Sequence, residues 1–349
     1  METQIVQIKE QHIQPEAIAR AGEIIRKGGL VAFPTETVYG LGGDALNPDS
    51  SKKIYAAKGR PSDNPLIVHI YRMEDLEYIA QEIPEAARQL AKRFWPGPLT
   101  MIFKKAETVP YETTGGLDTV AVRMPSHPVA AAFIRASGGY VAAPSANRSG
   151  RPSPTSARYV IEDMQGQIEM IIDSGDVEIG LESTIIDMTE DEPAILRPGY
   201  ITKEMLEEVL QSVGEDETIM SCSSGQAPKA PGMKYRHYAP RGELTIIDGE
   251  EARVIAYINE QAALLQKEGH KVGIIGTDAT TALYRGDVCK SAGDRREEAS
   301  IARALYRILR EFDDEEVTVI FSESFDTTGI GQAIMNRLLK AAGHKIIHI

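Results

Sequence analysis

Two basic residues stand one position apart in a stretch of the chain that favours a loop. Residues 58–65 read KGRPSDNP, and the glycine and the two prolines disfavour a regular helix or strand. The ammonium of Lys58 is a compact charge, while the guanidinium of Arg60 can bind two oxygens at once. Because the chain is otherwise acidic, we predict that this loop binds an anion such as phosphate, with a solvated surface turn as the alternative.

A hydroxyl and an amide follow a second, apolar stretch. Ser145-Ala146-Asn147 comes directly after residues 140–144, which read YVAAP. If residues 140–143 form a strand, the tripeptide lies at a strand end, where α/β proteins collect ligands. No Gly-x-Ser-x-Gly pattern surrounds Ser145, which argues against a serine hydrolase.

Polar side chains also interrupt apolar segments. Thr119 and Arg123 lie two positions on either side of Ala121, so in a strand both side chains project from one face. A buried arginine is costly unless it meets an anion, which is either a ligand carboxylate or one of the protein's own acidic groups. His69 lies within the apolar stretch 66–70 and is either structural or a ligand contact.

Short apolar strands mixed with helices must position these residues. The apolar stretch 30–33 brings residues 34–37 to a strand end, where their hydroxyls bind a small ligand or cap a helix. One continuous block of both element types predicts an α/β domain on a twisted, mixed sheet. Strands are predicted at 30–33, 66–70, 99–103, 119–123, 140–143, 183–187 and 194–196, and helices at 15–27, 50–57, 84–94, 128–136 and 202–211.

The character of the chain changes after residue 211. Residues 212–240 begin with polar residues and continue with several prolines, which predicts a linker, although its end, 233–240, is dense in Tyr, Arg, His and Lys. Alternating strand and helix patterns in 241–349 indicate a smaller Rossmann-like α/β domain. The predicted division is therefore 1–211, 212–240 and 241–349.

Composition limits the class of protein. The net charge of −13 argues against a surface that wraps nucleic acid. The sequence shows no secretory signal, and no apolar run approaches the ~20 residues that a membrane helix needs. Cys222 and Cys289 are far apart, so neither a disulfide framework nor a cysteine metal site is expected, and a cytoplasmic protein is the simplest interpretation.

Several ordered motifs resemble the YrdC-type family of threonylcarbamoyl-adenylate synthases. The Lys-x-Arg loop and the Ser-x-Asn tripeptide occur with PTETVYGL at 34–41, LRPG at 196–199 and APGMKYRHYAP at 230–240. The last is similar to the family's linker motif, with Ala230 where the family commonly has serine, and the resemblance implies that the linker 212–240 contacts the active site. The resemblance covers residues from about 10 to 240, and the remainder fits the longer, two-domain branch of the family.

The resemblance implies a YrdC-like sheet domain that makes threonylcarbamoyl-adenylate and diphosphate from L-threonine, bicarbonate and ATP. Mg²⁺ would be bound mainly through the ATP phosphates, without dedicated protein ligands. The product would serve formation of N6-threonylcarbamoyladenosine at position 37 of tRNA, through a downstream threonylcarbamoyl-transferase machinery and with possible tRNA contact. The open alternatives are a related carbamoyltransferase module and a non-catalytic RNA-binding module.

The resemblance also implies roles for individual residues. Lys58 and Arg60 would act in catalysis. The residues that would bind ATP are Arg60, Asn64, Thr119, Ser145, Asn147, Ser153, Arg197 and Tyr235. The residues that would bind threonine are Thr37, His69, Arg123, Ala143 and Ser183.

Overall fold

The computed structural model describes residues 1–216, 219 and 237–349. The chain forms two compact units. Of the described residues, 1–149, 153–216 and 219 lie in the first unit, and 150–152 and 237–349 lie in the second.

The helices of the described residues are α1 Pro15–Arg26, α2 Pro48–Lys58, α3 Leu76–Ile79, α4 Glu85–Phe94, α5 Tyr111–Thr114, α6 Pro128–Ala136, α7 Ala157–Met164, α8 Lys203–Glu207, α9 Glu251–Lys267, α10 Glu298–Asp314 and α11 Gly329–Ala341. The strands are β1 Gln4–Gln7, β2 Val31–Phe33, β3 Gly40–Asp44, β4 Ile67–His69, β5 Ala80–Gln81, β6 Leu99–Lys105, β7 Thr119–Arg123, β8 Val141–Ala143, β9 Met170–Asp173, β10 Thr184–Asp187, β11 Ala194–Arg197, β12 Gly214–Glu215, β13 Glu243–Asp248, β14 Val272–Gly276, β15 Val288–Ser291, β16 Val319–Glu323 and β17 Ile346–His348.

The first unit is built on one long mixed sheet. Its strands lie in the order β1-β9-β2-β3-β8-β4-β7-β6-β10-β11-β12. The short β5 pairs with the C-terminal end of β6. Both parallel pairs, such as β4 with β7, and antiparallel pairs, such as β6 with β7, occur. The predicted mixed α/β sheet is confirmed.

The two faces of the central strands have different environments. Val68, Met101 and Val122 point into the main core, which also holds side chains of α2 and α4. On the opposite face, Ile67 and Ala121 belong to a small apolar cluster with Ile102, Ile185 and Leu196. Because side chains alternate along a strand, this second face also carries Thr119 and Arg123.

Helices α1 and α6 cover the neighbouring part of that second face. Pro15 occupies the first turn of α1, and Ile18, Ala21 and Ile25 share its buried face. Gly22 permits a close approach, because a Cβ there would lie only 2.4 Å from the carbonyl oxygen of Ala136 in α6. The candidate site lies on the same face, beside the part that these two helices cover.

The second unit is a parallel sheet with the strand order β15-β14-β16-β13-β17. All of the described strand pairs in this sheet are parallel. Along the chain, α9 follows β13, α10 follows β15 and α11 follows β16. The predicted Rossmann-like domain is confirmed. The short segment Gly150–Pro152 belongs to this unit, in which the buried Arg310 donates to the carbonyl oxygen of Pro152 at 2.7 and 3.0 Å.

Several elements differ from the prediction. The helix expected at 202–211 is only α8, Lys203–Glu207. Strands β1, β3 and β9 and helix α7 were not predicted. The missed β3 reads GLGGD, and its small residues pack tightly: a Cβ at Gly42 would lie 2.8 Å from the side chain of Val141. Propensity disfavours glycine in strands, and close packing against neighbouring strands overrides that preference here.

Candidate active site

Lys58 connects the two motifs that open the sequence argument. It is the last residue of α2, which corrects the predicted loop position, and Gly59 ends the helix in the left-handed region at φ 60°. The Lys58 side chain is only 4% exposed. Its Nζ donates to the carbonyl oxygen of Ser145 at 2.5 Å and to that of Asn147. The lysine charge therefore lies at the Ser-x-Asn tripeptide.

The Ser145-Ala146-Asn147 segment is fixed by its own hydrogen bonds and by a neighbouring loop. Ser145 Oγ donates to Asn147 Oδ1 at 2.5 Å. The backbone N–H of Ala146 donates to the carbonyl oxygen of Tyr39 at 2.8 Å, and Ser145 forms an isolated bridge with Gly40. The segment follows β8 directly, as predicted for a strand end.

Arg60 lies in the loop that follows α2 and binds carbonyl oxygens of the same loop. Its Nε donates to Asn64 O at 3.2 Å and its Nη2 to Pro65 O at 3.1 Å. Asn64 is buried, and its Oδ1 has no hydrogen-bond partner. A buried amide oxygen without a partner is unfavourable, so a ligand hydroxyl at this position would stabilise the loop.

Arg123, at the end of β7, is surrounded by polar groups of the segment after β2. Its Nη1 donates to Thr37 Oγ1 at 2.8 Å, and its Nη2 lies 2.7 Å from Glu36 Oε1. Arg123 and Glu36 are both about 95% buried, with 4% and 5% exposure. The acidic partner that the sequence left open is therefore Glu36. Thr35 and Thr37 bond each other at 2.9 Å and cap no helix.

His69 lies beside Arg123 in the register of β4 and β7. Burial, followed by the positive charge of Arg123, lowers the pKa of the imidazole to about 3, so the ring is neutral at physiological pH. Its Nδ1 lies 3.0 Å from Ile67 O, and its ring meets the ring of Phe33 edge-on. The histidine thus borders the arginine as an uncharged group.

A row of polar side chains, Thr100, Ser183 and Arg197, continues across the sheet from Arg123. Thr100 of β6 pairs with Arg123 in register, and its hydroxyl lies 2.7 Å from Ser183 Oγ. Arg197 of β11 binds Ser183 through the carbonyl oxygen, at 2.9 and 3.1 Å, and through Oγ, at 3.2 Å. All four residues are buried. The row joins residues predicted for threonine to one predicted for ATP.

Ser153 and Thr119 lie at the margins of this arrangement. Ser153 Oγ donates to Glu182 Oε1 at 2.6 Å, and both residues are buried. Thr119 begins β7, roughly 13 Å along the strand from Arg123 at about 3.3 Å per residue. Thr119 lines a surface pocket of about 450 Å³ together with Lys104, so the structure separates it from the arginine.

Small residues lie on the site face of the central strands. Ala143 pairs with Ile67, and Ile67 pairs with Ala121, so the two alanines lie on the face that carries Arg123. A Cβ at Gly40 would already lie 3.4 Å from Ala143. These small side chains project only a short distance from the sheet, next to the polar groups that a ligand would contact.

Two residues of the candidate site were missed by the sequence analysis, Thr100 and Glu182, and Glu36 was considered only as part of the segment 34–37. Thr100 could have been found, because it alternates with apolar residues on the site face of β6. Glu182 directly precedes Ser183, but its contact with Ser153 depends on tertiary folding. The predicted nucleotide contact Tyr235 lies outside the described residues.

Two observations bear on metals and membranes. Among the residues that the structure describes, no three His, Cys, Asp or Glu side chains are placed to hold a metal ion. No helix in the described part of the chain has the length and apolar character needed to cross a bilayer.

Two family models match the chain. The Sua5_yciO_yrdC model, described as "Telomere recombination", matches residues 23–199. The Sua5_C model, described as "Threonylcarbamoyl-AMP synthase, C-terminal domain", matches residues 201–343.

Relatives named threonylcarbamoyl-AMP synthase match nearly the whole chain. The threonylcarbamoyl-AMP synthase of Pyrococcus abyssi is 50% identical over 350 residues, which covers 99% of this chain and 100% of the relative. That of Bacillus subtilis is 49% identical and covers 95% of this chain and 94% of the relative. That of Schizosaccharomyces pombe is 37% identical, with 93% and 88% covered.

Solved structures show the same architecture. The crystal structure of P. abyssi Sua5 complexed with L-threonine matches with a TM-score of 0.94 at 49% identity, covering 99% of this chain and 100% of that chain. Escherichia coli YciO matches with a TM-score of 0.52 at 26% identity, covering 56% of this chain and 95% of its own.

Proposed function

The chain belongs to the Sua5/YciO/YrdC family, as its motifs indicated, and we propose that it forms threonylcarbamoyl-AMP and diphosphate from L-threonine, bicarbonate and ATP. The observation that carries this proposal is the match, over almost the full length of both chains, to relatives named for that product. The enzyme is thus a nucleotidyltransferase that uses ATP as a substrate.

The threonine end of the site is assigned to the residues around Arg123. The guanidinium of Arg123 binds the substrate carboxylate, and Thr37 and Ser183 supply hydroxyls for hydrogen bonds. Neutral His69 and small Ala143 shape the space for the side chain. The buried position of these groups excludes water, which strengthens each polar contact.

The nucleotide end is assigned to the motifs around Lys58. Arg60 binds phosphate oxygens, and the uncompensated oxygen of Asn64 accepts a hydrogen bond from a ribose hydroxyl. The further residues assigned to ATP are Thr119, Ser145, Asn147, Ser153, Arg197 and, outside the described residues, Tyr235. Lys58 holds the Ser-x-Asn segment and adds positive charge beneath the phosphates.

The reaction needs positioning and charge stabilisation more than a protein nucleophile. The amine of threonine combines with bicarbonate to give a carbamate and water. A carbamate oxygen then attacks the α-phosphorus of ATP, and diphosphate leaves with the electron pair of the broken P–O bond. Lys58 and Arg60 stabilise the charge that develops on the phosphate oxygens. The row from Arg123 to Arg197 holds the two reactants next to each other.

Mg²⁺ fits this scheme as an ion delivered with ATP. The candidate phosphate residues are two cations and several neutral groups, a donor set that suits phosphate oxygens and leaves the metal to the nucleotide itself. When bound, the ion withdraws charge from the phosphates and so assists departure of diphosphate. Arg60 binds and orients the remaining phosphate oxygens, and Lys58 adds positive charge nearby.

The biological setting remains a prediction. Threonylcarbamoyl-AMP is an activated acyl donor, and its use for N6-threonylcarbamoyladenosine requires a separate transferase acting on tRNA. Direct contact with tRNA and a cytoplasmic location rest on the resemblance and the composition.

Diphosphate release in omission experiments tests the proposed function. Purified protein with ATP and Mg²⁺ is given L-threonine and bicarbonate separately and together. Release that needs both supports the proposal. Release that is independent of threonine would indicate a different acceptor and contradict it.

A further inference from the structure

Glu36 is a buried carboxylate for which the proposed reaction has no role so far. It lies in the segment after β2 with 5% exposure, and its Oε1 approaches Arg123 Nη2 at 2.7 Å. Its backbone is fixed as well, because its carbonyl oxygen accepts a hydrogen bond from the N–H of Ile179 at 2.9 Å. The side chain is therefore held at the predicted threonine end of the site.

The ion pair leaves hydrogen-bonding capacity on both partners. Neither carboxylate oxygen of Glu36 has an aligned hydrogen-bond donor, and Arg123 Nη2 has no aligned acceptor, despite their short separation. Buried charged groups without hydrogen bonds are costly, since nothing replaces the water that they lose. A molecule that offers donors to Glu36 and acceptors to Arg123 would satisfy both.

The other ionisable groups around Glu36 leave the pair electrically neutral. His69, on β4 next to Arg123, is uncharged because its pKa is about 3. His127, before α6, also has a pKa below its usual value because of burial, and it pairs with Glu10 at 2.9 Å. A neutral pair of opposite charges suits a ligand that is itself neutral overall but carries both charges.

We infer that Glu36 receives the ammonium group of the amino-acid substrate, so that Glu36 and Arg123 together recognise a zwitterion. The inference rests on the proposed function and adds a specificity-determining residue to it. The ammonium group supplies the donors that the Glu36 oxygens lack, and the carboxylate supplies acceptors to Arg123. Selection of a free amino acid then follows from two opposite charges at fixed separation.

Binding of three ligands by the wild-type protein and by variants of Glu36 tests this inference without ATP or bicarbonate. L-threonine carries both charged groups, 3-hydroxybutanoate lacks the amine, and L-threoninol lacks the carboxylate. Calorimetry with wild-type protein should show threonine bound at least about tenfold more tightly than either analogue, since a charged hydrogen-bonding partner is lost in each. In Glu36→Gln, threonine affinity should fall about tenfold or more while 3-hydroxybutanoate binds as well as before, or better.

The affinities for threonine and 3-hydroxybutanoate show whether Glu36 binds the ammonium group or only holds Arg123 in place. If Glu36 only held Arg123 in place, Glu36→Gln would weaken threonine and 3-hydroxybutanoate equally, and that result would overturn the inference. The matched control is Asp75→Asn, which changes another buried carboxylate paired with an arginine, Arg72, and should leave all three affinities unchanged.

Three further outcomes are decisive. Wild-type protein that binds threonine and 3-hydroxybutanoate equally would overturn the inference even if Glu36→Gln does not fold, while the proposed function would stand. Wild-type protein that binds no threonine would overturn the proposed function and the inference with it. A preference for threonine that Glu36→Asp retains and Glu36→Gln loses would support the inference.

Discussion

Arg197 donates hydrogen bonds to both the carbonyl oxygen and the hydroxyl of Ser183, at 2.9 and 3.2 Å from Nη2. We proposed Ser183 for threonine and Arg197 for ATP, so in that proposal Arg197 lies where the two substrates meet. The adjoining Thr100 extends the contact to the register position of Arg123. The residues proposed for threonine and those proposed for ATP are therefore linked through the contact between Ser183 and Arg197.

Arg197→Ala should weaken the use of both substrates. The arginine makes charge-assisted hydrogen bonds worth about 1.5–3 kcal/mol each, so we expect KM to rise roughly tenfold for threonine and for ATP. Steady-state kinetics with each substrate varied in turn measures this. Arg135→Ala, at an exposed arginine, is the control. An increase confined to the KM for ATP would contradict the linkage.

Arg60→Ala should lose most turnover while remaining folded. The side chain is only partly buried and bonds two carbonyl oxygens of its own loop, so the substitution changes the loop rather than the core. Loss of one preorganised cation at the phosphates should lower kcat by about a hundredfold or more. Diphosphate release measures kcat, and circular dichroism checks the fold. The exposed Arg88→Ala is the control, and near-normal kcat in Arg60→Ala would refute the assigned role.

Lys58→Met should lose stability as well as turnover. The variant leaves the carbonyl oxygens of Ser145 and Asn147 without their buried donor, at a cost of about 1–3 kcal/mol. Urea unfolding followed by the fluorescence of Trp95, the single tryptophan of the chain, reports on the first unit. Lys53→Met removes a comparable lysine–carbonyl bond, to Gly28, at an exposed position, and should change stability by less than about 0.5 kcal/mol. Equal effects in both variants would contradict a structural role for Lys58.

Arg123→Met should destabilise the first unit more than the double variant Arg123→Met/Glu36→Gln. The single change leaves a buried carboxylate without its cation, which costs about 3–5 kcal/mol, whereas the double change removes both charges. The same fluorescence measurement compares the two. If the double variant is no more stable than Arg123→Met, Glu36 does not depend on Arg123 to compensate a buried charge, which would contradict this prediction.

His69 should make stability fall as the solution is acidified. Its folded pKa of about 3 lies below the unfolded value of about 6.5, so the unfolded chain binds the extra proton between these values and stability rises with pH there. For this one group the difference between about pH 7.5 and pH 5 is about 2 kcal/mol. His69→Gln should remove this contribution to the pH dependence of the free energy of unfolding, while His12→Gln, at an exposed histidine, should not. Identical slopes in wild type and His69→Gln would contradict the buried neutral ring.

The fold class followed from sequence because its signals are local. Apolar strands such as Thr119–Arg123 and the amphipathic helix Pro15–Arg26 carry their periodicity within a few residues. Strand β3 lacked such a signal, since its glycines serve close packing between strands that are distant in sequence. Helix 202–211 was predicted too long because Leu210 is buried without being helical.

The candidate site was predictable where a motif carried it and obscure where folding created it. Lys58, Ser145 and Asn147 were proposed together, and the structure brings them into direct contact. By contrast, Glu36 and Arg123 are 87 positions apart, and only the sheet places them in contact at 2.7 Å. No pattern in one sequence identifies which of many carboxylates meets a given arginine.

Incorporation of labelled bicarbonate tests the central claim most directly. Purified protein is incubated with ATP, Mg²⁺, L-threonine and carbon-13 bicarbonate, and the nucleotide products are identified by mass spectrometry. We expect a threonylcarbamoyl-AMP ion that carries the label and disappears when threonine is omitted. Folded protein that yields no such ion under any combination of substrates would contradict a synthase, and would direct the next experiment to RNA binding.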